Sequence, residues 1–255
     1  MLRDSIASLA SASALLTSTD VRTEAQGDTW ESISKLPAFS GLWEMTAGGG
    51  PRAFGEAPSL MPAYAEQLAD YRQVQARDEI GHIPTGNWVA SGMPAIMAQP
   101  YPIEILFTPG KVTILIEAYS QWRQIFTDGR PHPVAPEPTA NGHSIGHWQD
   151  ETLIVDTVGF STHTFLGTPG MRHSAKMRIV ERFRLISLER LEIETTITDP
   201  EALTKPWKST RAYDRYLDWT LTEHVVTQNN RNGVTDDGKA LRDVVSVLGA
   251  LESSE

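Results

Sequence analysis

Ile179-Val180-Glu181-Arg182-Phe183-Arg184-Leu185 is the stretch on which the reading of the fold turns. Alternate residues of a β-strand share a face. One face then carries Ile179, Glu181, Phe183 and Leu185, and the other Val180, Arg182 and Arg184. Glu181 falls among the apolar residues. A carboxylate in an apolar interior is costly unless it is paired, hydrogen-bonded or protonated, so Glu181 marks a candidate site. In the next strand, Leu191, Ile193 and Ile197 face inward, which turns Glu192 and Glu194 outward, where Arg182 and Arg184 can meet them across the sheet.

The same period recurs on either side. Ile103–Thr108 and Lys111–Glu117 flank Pro109-Gly110, a hairpin signal. Gln121–Thr127 runs to the turn pair Asp128-Gly129, and a Pro-rich loop, Pro131–Pro138, follows. Thr152–Gly159, Met177–Ile186, Leu191–Thr198, Pro206–Tyr213 and Leu217–Thr227 read as further strands. Leu60–Gln75 carries Leu60, Tyr64, Leu68 and Tyr71 at helical spacing. Gly48-Gly49-Gly50-Pro51 breaks the chain before it, and Leu241–Leu251 reads as a short C-terminal helix. Strands joined by short turns form an antiparallel meander, and this many close into a barrel or stack as a sandwich. A barrel also removes exposed edges. The expected fold is all-β, a lipocalin-like barrel with a helical insertion and a helical tail. Residues 1–28 form an N-terminal tail or degenerate signal peptide, and 29–255 a single domain.

In the expected last strand, Leu217, Trp219, Leu221, Glu223 and Val225 share a face, which places a second glutamate inside. Trp207, Ser209, Arg211 and Tyr213 share another inner face, and Arg123 lies beside Ile125. The lumen is therefore expected to hold Glu181, Glu223, Arg211 and Arg123. Such a set is either a structural ion-pair cluster or a ligand cavity with acid, base and anion-holding groups.

Five of the seven histidines lie between His132 and His173. His173 leads into the Glu181 strand and is the candidate acid/base at the barrel mouth. His143 and His147 share a strand face, and with Asp150 or Asp156 they offer zinc or iron ligands at a loose spacing, without a tight motif such as HExxH. Gly142-His143-Ser144-Ile145-Gly146 spells G-x-S-x-G. A nucleophile elbow needs a strand before that motif and a helix after it. Here a Pro-rich loop precedes it and a Trp-bearing strand follows, which argues against Ser144 as a nucleophile.

The composition narrows the function classes. A formal net charge of -10 disfavours a phosphate backbone as partner. The absence of cysteine removes disulfides, thiol nucleophiles and thiolate metal sites. No apolar run is long enough to span a bilayer. Met1-Leu2-Arg3 and Ile6–Leu16 have the outline of a signal peptide, but Asp4 and three serines dilute it, so the balance leans to the cytoplasm over the periplasm.

Gly41-Leu42-Trp43 resembles the G-x-W of lipocalins and other calycin barrels. The resemblance implies that Trp43 closes the barrel base against a basic residue from a late strand, with Arg211 as counterpart. A broader set of motifs comprises Asp128-Gly129-Arg130-Pro131-His132-Pro133, Gly142-x-Ser144-x-Gly146-x-Trp148 and Thr152-Leu153-Ile154-Val155-Asp156-Thr157. It continues through His173, Glu181-Arg182-Phe183, Asp199-Pro200 and Pro206-Trp207. Together they resemble a family of β-rich, often exported bacterial proteins for which no family-wide reaction is carried over.

The expected function is small-molecule acid/base enzymology without a cofactor: a lyase, isomerase, hydratase or non-serine hydrolase acting on an apolar ligand. Glu181 or Glu223 would be the base and His173 the partner acid. Arg211 or Arg123 would hold a developing oxyanion, and Trp207, Tyr213, Trp219 and Phe183 would line the site. The alternative is a non-catalytic lipocalin-like carrier of a hydrophobic small molecule. A homo-oligomer is left open by the sequence.

Overall fold

Side-chain alternation builds the wall of the molecule. The computed structural model describes residues 26–46, 56–77 and 91–223. Within them lie nine strands: β1 (Gly41–Met45), β2 (Ile103–Thr108), β3 (Lys111–Ile116), β4 (Gln121–Phe126), β5 (His143–Gln149), β6 (Thr152–Val158), β7 (Arg178–Ser187), β8 (Arg190–Thr198) and β9 (Trp207–Arg215). Each pairs with the next, and β9 returns to β1, so the sheet is a closed barrel. The fold is all-β, as the period of two requires. On β3, Val112, Ile114 and Ile116 are buried while the residues between them are half-exposed. On β7 and β8 the outer charges meet in register: Arg184 Nη2 lies 2.9 Å from Glu192 Oε1, and Arg182 Nε lies 3.8 Å from Glu194 Oε2.

One seam departs from the expected meander. β4 and β5 run parallel, and only Ile125↔Ser144 and Phe126↔Ile145 pair between them. A parallel neighbour cannot be reached through a tight hairpin. Residues 127–142, which include the Pro-rich loop, carry the chain back before β5 begins. The residues of β4 that precede Ile125 therefore have a ladder partner on β3 but none on β5.

Trp43 is buried in the barrel, and the cation beside it is Arg215, not Arg211. Arg211, Tyr213 and Arg215 all share one strand face, and the register decides between them, because Arg215 is the residue opposite Trp43. Its guanidinium carbon lies 4.2 Å from the indole centroid, within reach of a cation–π attraction. The same group donates to Leu188 O at 2.7 Å, Ser40 O at 2.9 Å and Ala38 O at 2.6 Å, so it ties the chain entering β1 to the β7–β8 turn. Trp43 Nε1 donates to Phe39 O at 2.8 Å.

A short helix, α1 (Trp30–Ile33), precedes the barrel, and α2 (Pro62–Ala76) matches the helix read from Leu60, Tyr64, Leu68 and Tyr71, with Leu68 buried. Among the described residues no helix is long and apolar enough to cross a membrane. The expected final strand is corrected: residues 217–223 form no strand, Leu217 and Trp219 are exposed, and Glu223 is exposed with them. The Trp219 ring lies flat on Tyr216, at 5.6 Å and 9°, outside the barrel. Residues 224–227, the tail before residue 26, the Gly-rich break and the expected C-terminal helix lie outside the described residues.

Candidate functional site

The barrel interior has two halves. Around β1–β3 it is apolar, with Trp43, Met45, Ile103, Ile105, Val112, Ile114 and Ile116 buried. From β4 to β9 a polar band crosses the wall: Arg123, Ser144, Thr157, Glu181, Thr195, Ser209 and Arg211 are all buried. The register makes much of this band continuous, since Ser144 stands opposite Thr157, Glu181 opposite Thr195, and Thr195 opposite Ser209.

Arg123 organises the band. Its guanidinium forms a doubly hydrogen-bonded pair with Glu181, through Nη1 to Oε1 at 3.1 Å and through Nη2 to Oε2. Nε donates to Ser144 Oγ at 3.3 Å, and Nη2 also donates to Thr157 Oγ1 at 2.9 Å. Ser144 and Thr157 share a further hydrogen bond of 2.9 Å. One side chain on β4 thus reaches β5, β6 and β7. Arg123 and Glu181 are only 2% and 1% exposed, so each charge is out of water and relies on the other. A bidentate fork to a carboxylate is the geometry in which a guanidinium makes its strongest pair. Glu181 is consequently engaged at both oxygens and is not poised as a base.

The G-x-S-x-G stretch serves this network. Ser144 lies within strand β5 and is buried against Arg123, not exposed on an elbow. Gly142 has φ +68°, and a Cβ there would meet Val158 O and the Phe160 ring at 2.8 Å. A Cβ on Gly146 would meet Ile125 at 2.8 Å across the seam. The two glycines are therefore required by backbone conformation and close packing.

The other expected site residues are dispersed. Phe183, Trp207 and Tyr213 are buried in the core. Trp207 Nε1 donates to Glu56 O at 2.7 Å, and Tyr213 Oη donates to Met97 O at 2.8 Å. Burial pushes the Tyr213 hydroxyl up to about 12, against the opposing pull of Arg211. Arg211 is buried, and burial lowers its guanidinium from its ordinary value, opposed by Tyr213 and Glu181. His173 is buried, not at a mouth. Its Nε2 is 2.8 Å from Thr164 Oγ1 and its Nδ1 is 2.9 Å from Ser174 O. Burial holds its imidazole below the ordinary histidine range, with the carbonyl of Ser174 pulling the other way. Both ring nitrogens are spent locally, and Glu223 and Trp219 lie outside, so the expected trio of Glu181, Glu223 and His173 does not converge. His147 points outward and is exposed, and among the described residues no three His, Asp or Glu side chains are grouped to hold a metal ion.

What does converge is a cleft at the parallel seam. It encloses about 600 Å³ between β4, the start of β5 and the loop over them. Trp122, Phe126, Pro133 and Pro136 contribute apolar surface, and Arg123, Ser144, Asn141 and His143 contribute polar groups. Asn141 bridges the gap: its Nδ2 donates to Trp122 O at 3.1 Å and Gln121 Oε1 at 3.3 Å, supplying the contact that a strand neighbour would have made. Its Oδ1 is buried and has no hydrogen-bond partner among the described residues. Trp122 is 59% exposed beside the opening. Sequence reading passed over Trp122, Phe126 and Asn141. The Asn141-Gly142 pair was the available signal, since it interrupts the run into β5. Comparison of the chain with protein-family models, with curated proteins and with solved structures finds no match in any of the three.

Two outcomes follow from this geometry. Arg123→Met is expected to lower unfolding free energy by roughly 3–5 kcal/mol, because it strands a buried carboxylate. Adding Glu181→Met should restore part of that loss, since Ser144 and Thr157 keep each other as partners while the buried Arg211 loses the support of the Glu181 charge. Urea unfolding of the single and double variants measures both. His173, whose folded imidazole resists protonation, makes stability rise with pH: the unfolded chain binds the extra proton first. The loss begins as pH falls below the unfolded value near 6.5. His173→Asn should flatten the stability profile below that pH relative to the parent chain.

Proposed function

We propose that this chain is a small-molecule binding protein of lipocalin-like build whose ligand sits in the β4–β5 seam cleft. The observation that carries the proposal is the 600 Å³ cleft itself, faced by Trp122 and Phe126 with Asn141 and His143 among its polar lining. That volume lies within the range of small-molecule sites, about 300–1,000 Å³. Its lining has the mixture such sites use, aromatic surface for area and a few fixed polar groups for orientation. His143, in the cleft lining, offers a ring nitrogen that can pair with a ligand N–H or O–H. The ligand class is a planar, mostly apolar molecule with at least one donor. This reading carries forward the carrier alternative and moves the site from the lumen to the wall. It also separates roles, because the interior charges hold the seam while the wall residues touch the ligand.

The test uses 1-aminoanthracene, a planar fluorescent amine. Binding should be saturable and should quench Trp122. Phe126→Ala and Trp122→Ala should each weaken it roughly tenfold, the effect of about 1.4 kcal/mol. Glu181→Gln should leave the affinity nearly unchanged while lowering the melting temperature. Unaltered binding in both aromatic variants would remove the seam as the site.

A further inference from the structure

His143 lines the cleft, and a chain of polar contacts runs from it to a carboxylate on the outer wall. His143 Nδ1 lies 2.9 Å from His132 Nδ1, and His132 Nε2 lies 3.5 Å from Asp156 Oδ2. Two facing Nδ1 atoms at that distance require one ring to donate and the other to accept. The Asp156 carboxylate, at ion-pair distance from Nε2 but not hydrogen-bonded to it, favours the His132 tautomer with its proton on Nε2, which leaves His132 Nδ1 as an acceptor and makes His143 Nδ1–H the donor. His143 Nε2 is then the lone-pair nitrogen available to a molecule in the cleft. The His143 ring is held in place by Phe126, which stacks on it at 5.5 Å and 27°.

From this order we infer that the cleft takes an aromatic weak acid, a planar ring bearing an ionisable O–H, and that His143 Nε2 accepts its proton. The inference rests on the seam cleft being the binding site. In the transfer the ligand O–H bond breaks, an N–H bond forms at His143 Nε2, and the electron pair stays on the ligand oxygen. The resulting imidazolium passes charge toward His132, where Asp156 meets it. The ligand anion and the imidazolium remain as an ion pair in the cleft. His132 and Asp156 are positioning residues; of the three relay members, His143 touches the ligand.

The surrounding charges agree with a neutral His143 in the empty cleft. Burial lowers its affinity for a proton, and His132 and Arg130 act in the same direction. Arg130 sits over the opposite partner of the stack, 4.1 Å from the Phe126 centroid, and is itself paired with Asp128. Arg178 pairs with Asp156 from β7. Glu137, exposed at the cleft edge, is the carboxylate on the loop side. An anion entering beside His143 meets Arg130 already paired with Asp128, and Glu137 at the cleft edge is an exposed carboxylate that water screens.

4-Nitrophenol and its methyl ether, 4-nitroanisole, are the probes, used with the full chain. The phenolate absorbs at longer wavelength than the phenol, so absorbance reads the ionisation of the bound molecule. Bound 4-nitrophenol should show a phenolate fraction raised roughly tenfold over the free phenol at the same acidic pH. His143→Gln should hold bound 4-nitrophenol in its neutral form. Asp156→Asn, on the outer wall, should reduce the phenolate fraction while leaving 4-nitroanisole affinity unchanged, which a merely structural role would not do. Ionisation as in water, or a shift that survives His143→Gln, overturns the relay even where 4-nitroanisole still binds. If neither probe binds, the cleft reading falls and takes this inference with it.

Discussion

A single guanidinium bridges the weakest joint of the barrel. The β4–β5 contact is parallel and only two residue pairs long, so its backbone ladder contributes little. Arg123 crosses it from inside, bonding Ser144 on β5, Thr157 on β6 and Glu181 on β7. A hydrogen bond to a charged group is worth about 1.5–3 kcal/mol, against roughly 1 for a neutral one. The side-chain network therefore outweighs the missing backbone bonds, provided both charges stay paired. On the outer side of the same joint, Asn141 takes the carbonyl of Trp122. The seam is held from both faces without being closed, and the space left between strand and loop is the cleft.

This arrangement separates stability from recognition. Glu181 looks like a reactive group when read as an isolated carboxylate in an apolar row. Both of its oxygens accept from Arg123, which makes it half of a buried ion pair. The polar groups of the cleft, Asn141 and His143, lie at the wall. Asn141 comes from the loop and His143 from the first residue of β5. They share the start of β5 with Ser144, so the segment that anchors the seam also presents the polar face of the cleft.

Much of the barrel was legible because its signal is local. Period-two alternation alone places Glu181, Arg123, Arg211, Trp207 and Tyr213 inside, and it also matches Arg182 and Arg184 with Glu194 and Glu192 across the β7–β8 hairpin. The errors arise where the determinant is not local. Continuing the alternation through Leu217–Glu223 assumed a tenth pairing, whereas β9 already meets β1 and leaves no edge for that segment to join. The choice between Arg211 and Arg215 as the Trp43 cation depends on register, which a three-residue motif does not carry. His173 is buried among Thr164, Phe160 and Ser174, contacts made by loop segments whose folding no periodicity describes. The parallel seam was hidden for the same reason: nothing in residues 127–142 specifies which side of β4 the chain returns to.

The dependence of the seam on Arg123 is tested most directly by amide hydrogen exchange, comparing the parent chain with Arg123→Met under native conditions. Protection should fall furthest in β4 and β5, beyond the general loss that global destabilisation imposes on the β7–β8–β9 ladder. No loss at the seam beyond that shared by the whole barrel would contradict the account.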